Sequence, residues 1–401
     1  MTPPALRIAT YNTSLFAETD GGLEARLLAG DANAGKIAAV LQRVRPDVVL
    51  LNEFDFDAKG RAADLFMERY LAVAQVDGGA ALRYPYRYFA PVNTGVSSGL
   101  DLDRNGGVGG EGRDRGNDAW GYGLHPGQYG MLLLSMHPID TGAVRTFQLL
   151  KWSAMPGARR PVDPQTGQPW HADATWTQLR LSSKSHWDVP VRTPLGVVHV
   201  LAAHPTPPVF DGPEDRNGAR NHDEIRLWRE YLSGDAPWLC DDRGRCGGLP
   251  DGARFVILGD LNNDPDAGDG IHAAIRDLLA HPRVLRHPVP RSAGAHAAVL
   301  AQAADAAGAA GAVGAHDARP ARAADAGSAA PAPMAADAAR PRHVATGDFG
   351  PRVGPLRLDY VLPSANLRRV GGGVFWPAPD QSGAAIVVGT DHRLVWADLA
   401  D

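Results

Sequence analysis

No stretch of the 401-residue chain approaches the roughly 18 consecutive apolar residues that a membrane-spanning helix needs, so no transmembrane span is expected. Basic excess is also lacking: 40 Lys and Arg against 45 Asp and Glu give a formal charge of -5. That balance disfavours a generic electrostatic grip on nucleic acid or an anionic membrane, although a local basic groove stays compatible with it. Cysteine is nearly absent. The only two, Cys240 and Cys246 in "LCDDRGRCGG", are close enough to close a small disulfide loop. A disulfide there would suit an exported form, and two free thiols are the alternative. The first apolar segment begins within a few residues of Met1, so the expectation is a chain without a signal peptide, cytoplasmic as written.

What is present is a large apolar fraction, 44%, interrupted by 46 Gly and 32 Pro. This combination predicts a sizeable core with many turns and long loops, organised as one domain over residues 1–401 with insertions. "LRIATYN" reads as a strand stopping at Asn12. Ile37, Val40, Leu41 and Val44 recur at helical spacing before Pro46, and "DVVLLNEFD" is a second buried strand finishing at Glu53. The second half repeats this order. "GVVHVLAAHP" is a strand ending at His204, Ile225, Trp228 and Leu232 form a helical stripe, and "FVILGDLNNDP" is a strand ending at Asp260 and Asn262. Two further strands follow, "PLRLDYVLPS" with Asp359 near its middle and "TDHRLVWADL" with Asp391 and His392 at its start. Residues 293–340 are Ala-rich, broken by Gly and Pro and poor in aromatics, and are read as a disordered insertion.

Strands that lie side by side and each end in a polar residue bring those residues to one crevice, where ligands bind in many α/β folds. Turn chemistry alone explains Asn, Asp and Gly after a strand, but it does not predict such a convergence.

Asn12 in "ATYN", Glu53 in "LLNE", the segment "GQYGMLLLSMHPI", His204 in "AAHP", Asp260 and Asn262 in "GDLNNDP", Asp359 in "RLDYVL" and Asp391–His392 in "TDH" resemble, in order, the signature of the endonuclease/exonuclease/phosphatase superfamily. The resemblance implies an α/β (α+β) fold, a four-layered αββα sandwich of two mixed β-sheets packed face to face with helices outside. It also implies hydrolysis of a phosphate ester assisted by Mg2+ or Mn2+, with Asn12, Glu53 and Asp391 as metal ligands. By the same resemblance Asp359 orients His392, His204 and His392 face the phosphate, Asp260 orients or deprotonates the attacking water, and Asn262 donates to a phosphate oxygen. The chemistry of such a site agrees, since oxygen donors suit a hard cation.

Two departures concern the substrate. Asn52 stands where many members carry Gln. In "LRLSSKSHWDVPV", Lys184, His186 and Trp187 are candidates to contact substrate, as is Tyr129 in "GQYGM", while an amphipathic strand with a solvated face is the other reading. The Gly-rich loop 99–123 opens like a calcium loop with Asp101, Asp103, Asn105 and Gly106, but Glu111 falls one place short of the twelfth-position acid, so either a bound Ca2+ or a specificity loop is expected. The substrate expected is a small or lipid-derived phosphate ester, cleaved by a monomer. A nuclease is the runner-up and a non-catalytic phosphate-binding module the lesser alternative.

Overall fold

The computed structural model describes residues 5–312 and 344–401. Thirteen strands occur among them: β1 (Leu6–Leu15), β2 (Val48–Phe54), β3 (Tyr86–Phe89), β4 (Met131–Ser135), β5 (Arg145–Thr146), β6 (His186–Thr193) and β7 (Gly196–Ala203). These are followed by β8 (Arg254–Asp260), β9 (Gly347–Asp348), β10 (Pro355–Leu356), β11 (Asp359–Pro363), β12 (Arg368–Val374) and β13 (Val395–Ala400). One sheet has the order β12-β13-β1-β2-β4-β3 and the other β11-β8-β7-β6-β5, with β9 and β10 forming a small hairpin. Both sheets are mixed, because β1–β2 and β7–β8 pair in parallel and the remaining neighbours antiparallel. The two strand–helix–strand units read from sequence are those two parallel pairs.

Side-chain alternation builds the layers. Val48 and Leu50 of β2 point into a core shared with Val256 and Leu258 of β8, together with Trp187, Val189 and Val200. Val49 and Leu51 point the other way, onto Ile37, Val40, Leu41 and Val44 of the Ala32–Val44 helix. Phe255 and Ile257 likewise meet Ile225, Trp228 and Leu232 of the Arg216–Leu232 helix and Leu278 of the Ala273–Ala280 helix. The result is helix, sheet, sheet, helix, four layers deep. Asp31 caps the first of these helices by accepting the N–H of Ala34 at 2.8 Å, and Arg45 in the left-handed region ends it before Pro46.

Three expectations change. β1 continues past Asn12 to Leu15 with a register shift, and Asp359 opens β11 instead of lying near its middle. The Ala-rich segment is not wholly irregular: Ala293–Ala312 is a helix. Ser292 Oγ accepts the N–H of Ala295, the N–H of Gly294 donates to the carbonyl of Trp376, and Ala295 enters the inter-sheet core. A capping serine and the high helix propensity of alanine outweigh the lack of an apolar stripe. The rest of the 293–340 segment lies outside the described residues. Among the described residues no helix is long and apolar enough to cross a membrane, and Cys240 and Cys246 form a disulfide.

Gly259 sets the depth of the future site. Its φ is +151°, and a Cβ there would lie 1.9 Å from the carbonyl oxygen of Ala203, one residue before His204. β7 and β8 therefore approach closely only because position 259 is bare. Gly259→Ala is expected to cost about 3 kcal/mol of stability, read as a lowered urea midpoint, and an unchanged midpoint would contradict the close approach.

Candidate active site

Strand ends from both sheets meet at one polar cluster. Asn12 is its centre: Nδ2 donates to Glu53 Oε1 at 3.0 Å and to Asp260 Oδ2 at 3.0 Å, while Oδ1 accepts the N–H of Ser14. Asn52 makes a second link between the sheets, its Oδ1 accepting the N–H of Asp260 at 3.2 Å. The Nδ2 of Asn52 is buried without a partner. The Asn52 amide thus braces the β8 end.

Glu53 has φ +54°, Tyr129 +56°, Asn262 +52° and Ser14 +48°, left-handed conformations that non-glycine residues adopt at a cost of order 1–3 kcal/mol each. They turn the chain out of the strands so that side chains face the crevice. Asn262 is held by its N–H to Asp260 Oδ1 at 2.9 Å and by its Nδ2 to the carbonyl of Pro205 at 3.1 Å.

On the other side, His392 Nδ1 donates to Asp359 Oδ2 at 2.9 Å, and its Nε2 lies 3.4 Å from Asp260 Oδ2 and 3.9 Å from Asp391 Oδ1. Thr346 fixes Asp359, donating from Oγ1 to Oδ2 at 2.8 Å and accepting the N–H groups of Leu358 and Asp359. Burial disfavours the imidazolium, but the carboxylates of Asp359 and Asp260 outweigh it and hold His392 up at about 10. Burial raises Asp260 to about 7 against the pull of His392 and Asn12, and burial also raises Glu53.

His204 is 2% exposed, with Nε2 3.6 Å from Asp260 Oδ2 and 4.0 Å from Glu53 Oε1, and neither ring nitrogen has a hydrogen-bond partner. Burial holds it well below the usual histidine range, and Lys184 and His392 add to the effect. Lys184, 5% exposed, is lowered by burial while Glu224, Glu53 and Asp260 oppose. Tyr129 stands beside Glu53, its hydroxyl raised by burial and by that carboxylate, with Phe16 packed on its ring at 4.6 Å.

The structure therefore brings together Asn12, Glu53, His204, Asp260, Asn262, Asp359 and His392, with Lys184 and Tyr129 at the border and Asp391 on the open side, its side chain 54% exposed. Two expectations fail. His186 is buried, hydrogen-bonded through Nδ1 to Ser182 Oγ and through Nε2 to the carbonyl of Glu224, and Trp187 lies in the inter-sheet core, so neither is free to meet substrate. Their strand alternates between two buried faces, not a core face and a solvated one.

In the 99–123 loop the acid that joins Asp101 and Asp103 is Asp118, not Glu111. Asp118 accepts the N–H groups of Leu102 and Gly109, both at 2.7 Å, so it organises the loop, whereas Glu111 is exposed at the start of the short Gly112–Asn117 helix. No sequence signal marks Asp118 or Thr346, because their roles depend on partners 9 to 16 residues away that only the folded loops bring to them.

A family model described as "Endonuclease/Exonuclease/phosphatase family" matches residues 9–392. No curated protein matches the sequence. Solved structures with a similar fold include an endonuclease/exonuclease/phosphatase from Beutenbergia cavernae, 18% identical over 99% of this chain and 71% of that one, TM-score 0.48. Others are a beta toxin from Staphylococcus aureus, 13% identical over 98% and 99%, TM-score 0.45, and a sphingomyelinase C from Streptomyces griseocarneus, 17% identical over 98% and 99%, TM-score 0.43.

The geometry at His392 generates a test. In metal-free protein its imidazolium resonance should persist to about pH 10, and Asp359→Asn should bring the transition down towards the ordinary histidine value near 6.5. Because the folded value is raised, the ring's stabilising contribution is complete below about pH 6.5 and fades as pH rises through 10. A wild-type transition near 6.5 would contradict the carboxylate pairing.

Proposed function

We propose that this chain, which belongs to the Endonuclease/Exonuclease/phosphatase family, is a divalent-metal-dependent phosphoric ester hydrolase acting on a small or lipid-derived phosphate ester. One observation carries the reading: His204 is buried beside the Asp260 carboxylate with both ring nitrogens unpartnered. Buried polar groups are ordinarily paired, so unpaired ones facing acids at strand ends fit a ligand that accepts hydrogen bonds and brings negative charge. The buried Lys184 side chain, a cation that the Glu224, Glu53 and Asp260 carboxylates favour in its charged form, supports the same conclusion.

Glu53 and Asn12 supply hard oxygen donors, and Asp391 a third on the solvent side. Acids crowded at one strand-end cluster are the donor chemistry that Mg2+ or Mn2+ takes. When bound, such a cation would neutralise phosphate charge and acidify a coordinated water.

The chain's own groups have separable roles in the reaction. Asp260 orients the attacking water and takes its proton, a task suited to a carboxyl raised to about 7. His392, fixed by Asp359, presents Nε2–H to a phosphoryl oxygen. His204, the second hydrogen of the Asn262 amide and Lys184 bind the remaining phosphate oxygens, where negative charge grows in the transition state. Tyr129 lines the substrate side. The Cys240–Cys246 disulfide supports an exported working form.

A nuclease is the second reading. It is favoured by Trp120, whose ring is flanked by Arg180 at 5.0 Å and Lys151 at 5.6 Å, a cation–aromatic arrangement on which a base stacks.

The decisive panel is para-nitrophenyl phosphate, its bis ester, an inositol phosphate, a sphingomyelin-type lipid and plasmid DNA, with magnesium, manganese, calcium or chelator. Chelator-sensitive release from the small or lipid esters is expected. Preferential nicking of DNA would replace this substrate by nucleic acid, and no cleavage by folded protein that binds phosphate would favour the binding-module reading. Asp260→Asn and His392→Ala should each lower kcat about 10²- to 10⁴-fold without loss of fold.

A further inference from the structure

The Arg216–Leu232 helix turns its apolar stripe to the second sheet, yet it also buries Asn221 and Glu224. Glu224 is 1% exposed, and its two oxygens are used on two different segments: Oε1 accepts the N–H of Ser183 at 2.6 Å and Oε2 the N–H of Thr206 at 2.6 Å. Ser183 directly precedes Lys184, and Thr206 lies two residues after His204. The carbonyl of Glu224 accepts from His186 Nε2 at 2.8 Å, so the 182–186 segment is tied to this residue by main chain as well as side chain. One turn earlier, Asn221 Nδ2 donates to the carbonyls of Thr206 at 2.8 Å and Leu261 at 3.0 Å, and Oδ1 accepts from Asn263 Nδ2 at 2.8 Å.

We propose that Glu224 is a positioning residue for catalysis, a single buried carboxylate that clamps the backbones carrying Lys184 and His204 and aims both side chains at the substrate phosphate. The inference rests on the reaction proposed above and adds to it the origin of the anion-binding geometry. The residue type follows from the geometry. Both neighbours are N–H donors, and only a carboxylate offers an acceptor at each end, whereas a glutamine would point its NH2 at one of them. The negative charge has a second task. Lys184 is a buried ammonium, and Glu224 is foremost among the acids that favour its charged form. Misplacing a phosphate-binding group by about 1 Å is enough to cost 10²-fold in rate, so a clamp of this kind acts on turnover while touching no reacting atom.

The test compares wild type with Glu224→Gln, Glu224→Asp and, as a control on the same helix, Glu230→Gln, whose carboxylate pairs with Arg226 and Arg229. The chain has four lysines, Lys36, Lys59, Lys151 and Lys184, so [15N]lysine labelling gives four amide resonances, with Lys184 assigned by its replacement with arginine. For Glu224→Gln, kcat should fall about 10- to 100-fold with KM within about twofold. Inorganic phosphate should shift the Lys184 resonance in wild type and much less in the variant, and Glu230→Gln should match wild type in both readouts.

A folded Glu224→Gln with wild-type kcat and a wild-type phosphate response overturns the proposal. Should that variant not fold, Glu224→Asp decides, since it keeps both acceptors but withdraws them by one methylene; the same direction of loss supports the clamp and wild-type behaviour overturns it. If wild type hydrolyses nothing, the reaction falls, and the clamp is then judged on the Lys184 resonance alone: a response weakened by the substitution supports it, an unaltered one overturns it.

Discussion

The structure depends on one side-chain amide. Asn12 stands on the first sheet and holds two carboxylates at once, Glu53 from the neighbouring strand and Asp260 from the facing sheet. Two acids brought this close would repel, and burial raises both. The shared amide makes the juxtaposition tolerable in the absence of a cation and leaves the remaining carboxylate lone pairs for one. The sandwich is thereby closed at the site by polar contacts, with Asn52 reinforcing the same seam, whereas beneath it the sheets are joined by apolar side chains, chiefly Val and Leu with Trp187 among them.

Strain accompanies this arrangement. Glu53, Tyr129, Asn262 and Ser14 hold left-handed backbone conformations at strand ends, and Gly259 lets two strands approach more closely than any side chain would permit. Such costs persist only where surrounding structure enforces them. Here three hydrophobic clusters do so, and Glu224, Asn221 and Thr346 secure the loops above them. The polar cluster itself sits at the last residues of the strands and on the turns that follow them.

Much of this was legible in the residues themselves. Apolar runs stopping at Glu53, His204 and Asp260 give strand ends to within a residue, whereas β1 runs three residues past Asn12; the spacings of Ile37–Val44 and Ile225–Leu232 give the two helices that make the parallel pairs. Less was legible where tertiary partners decide. His186 reads as a polar residue at a strand start, and Ser182 Oγ together with the carbonyl of Glu224 makes it part of the interior. Glu111 matches a calcium-loop spacing more nearly than Asp118, yet Asp118 is the acid that two backbone N–H groups select. The Ala-rich start at 293 lacks periodicity, but a serine cap and a contact with Trp376 suffice for a helix. Glu224 itself resembles any acid on a charged helix, because its significance lies in loops about 20 and 40 residues away in sequence.

The proposed reaction stands or falls on a divalent cation held by Asn12, Glu53 and Asp391. The most direct measurement is Mn2+ binding followed by electron paramagnetic resonance on wild type and on Glu53→Gln. Saturable binding by wild type, competed by Mg2+, is expected, with its loss in a Glu53→Gln protein that melts like wild type. Equal Mn2+ binding by the two proteins, or none by folded wild type, would contradict it.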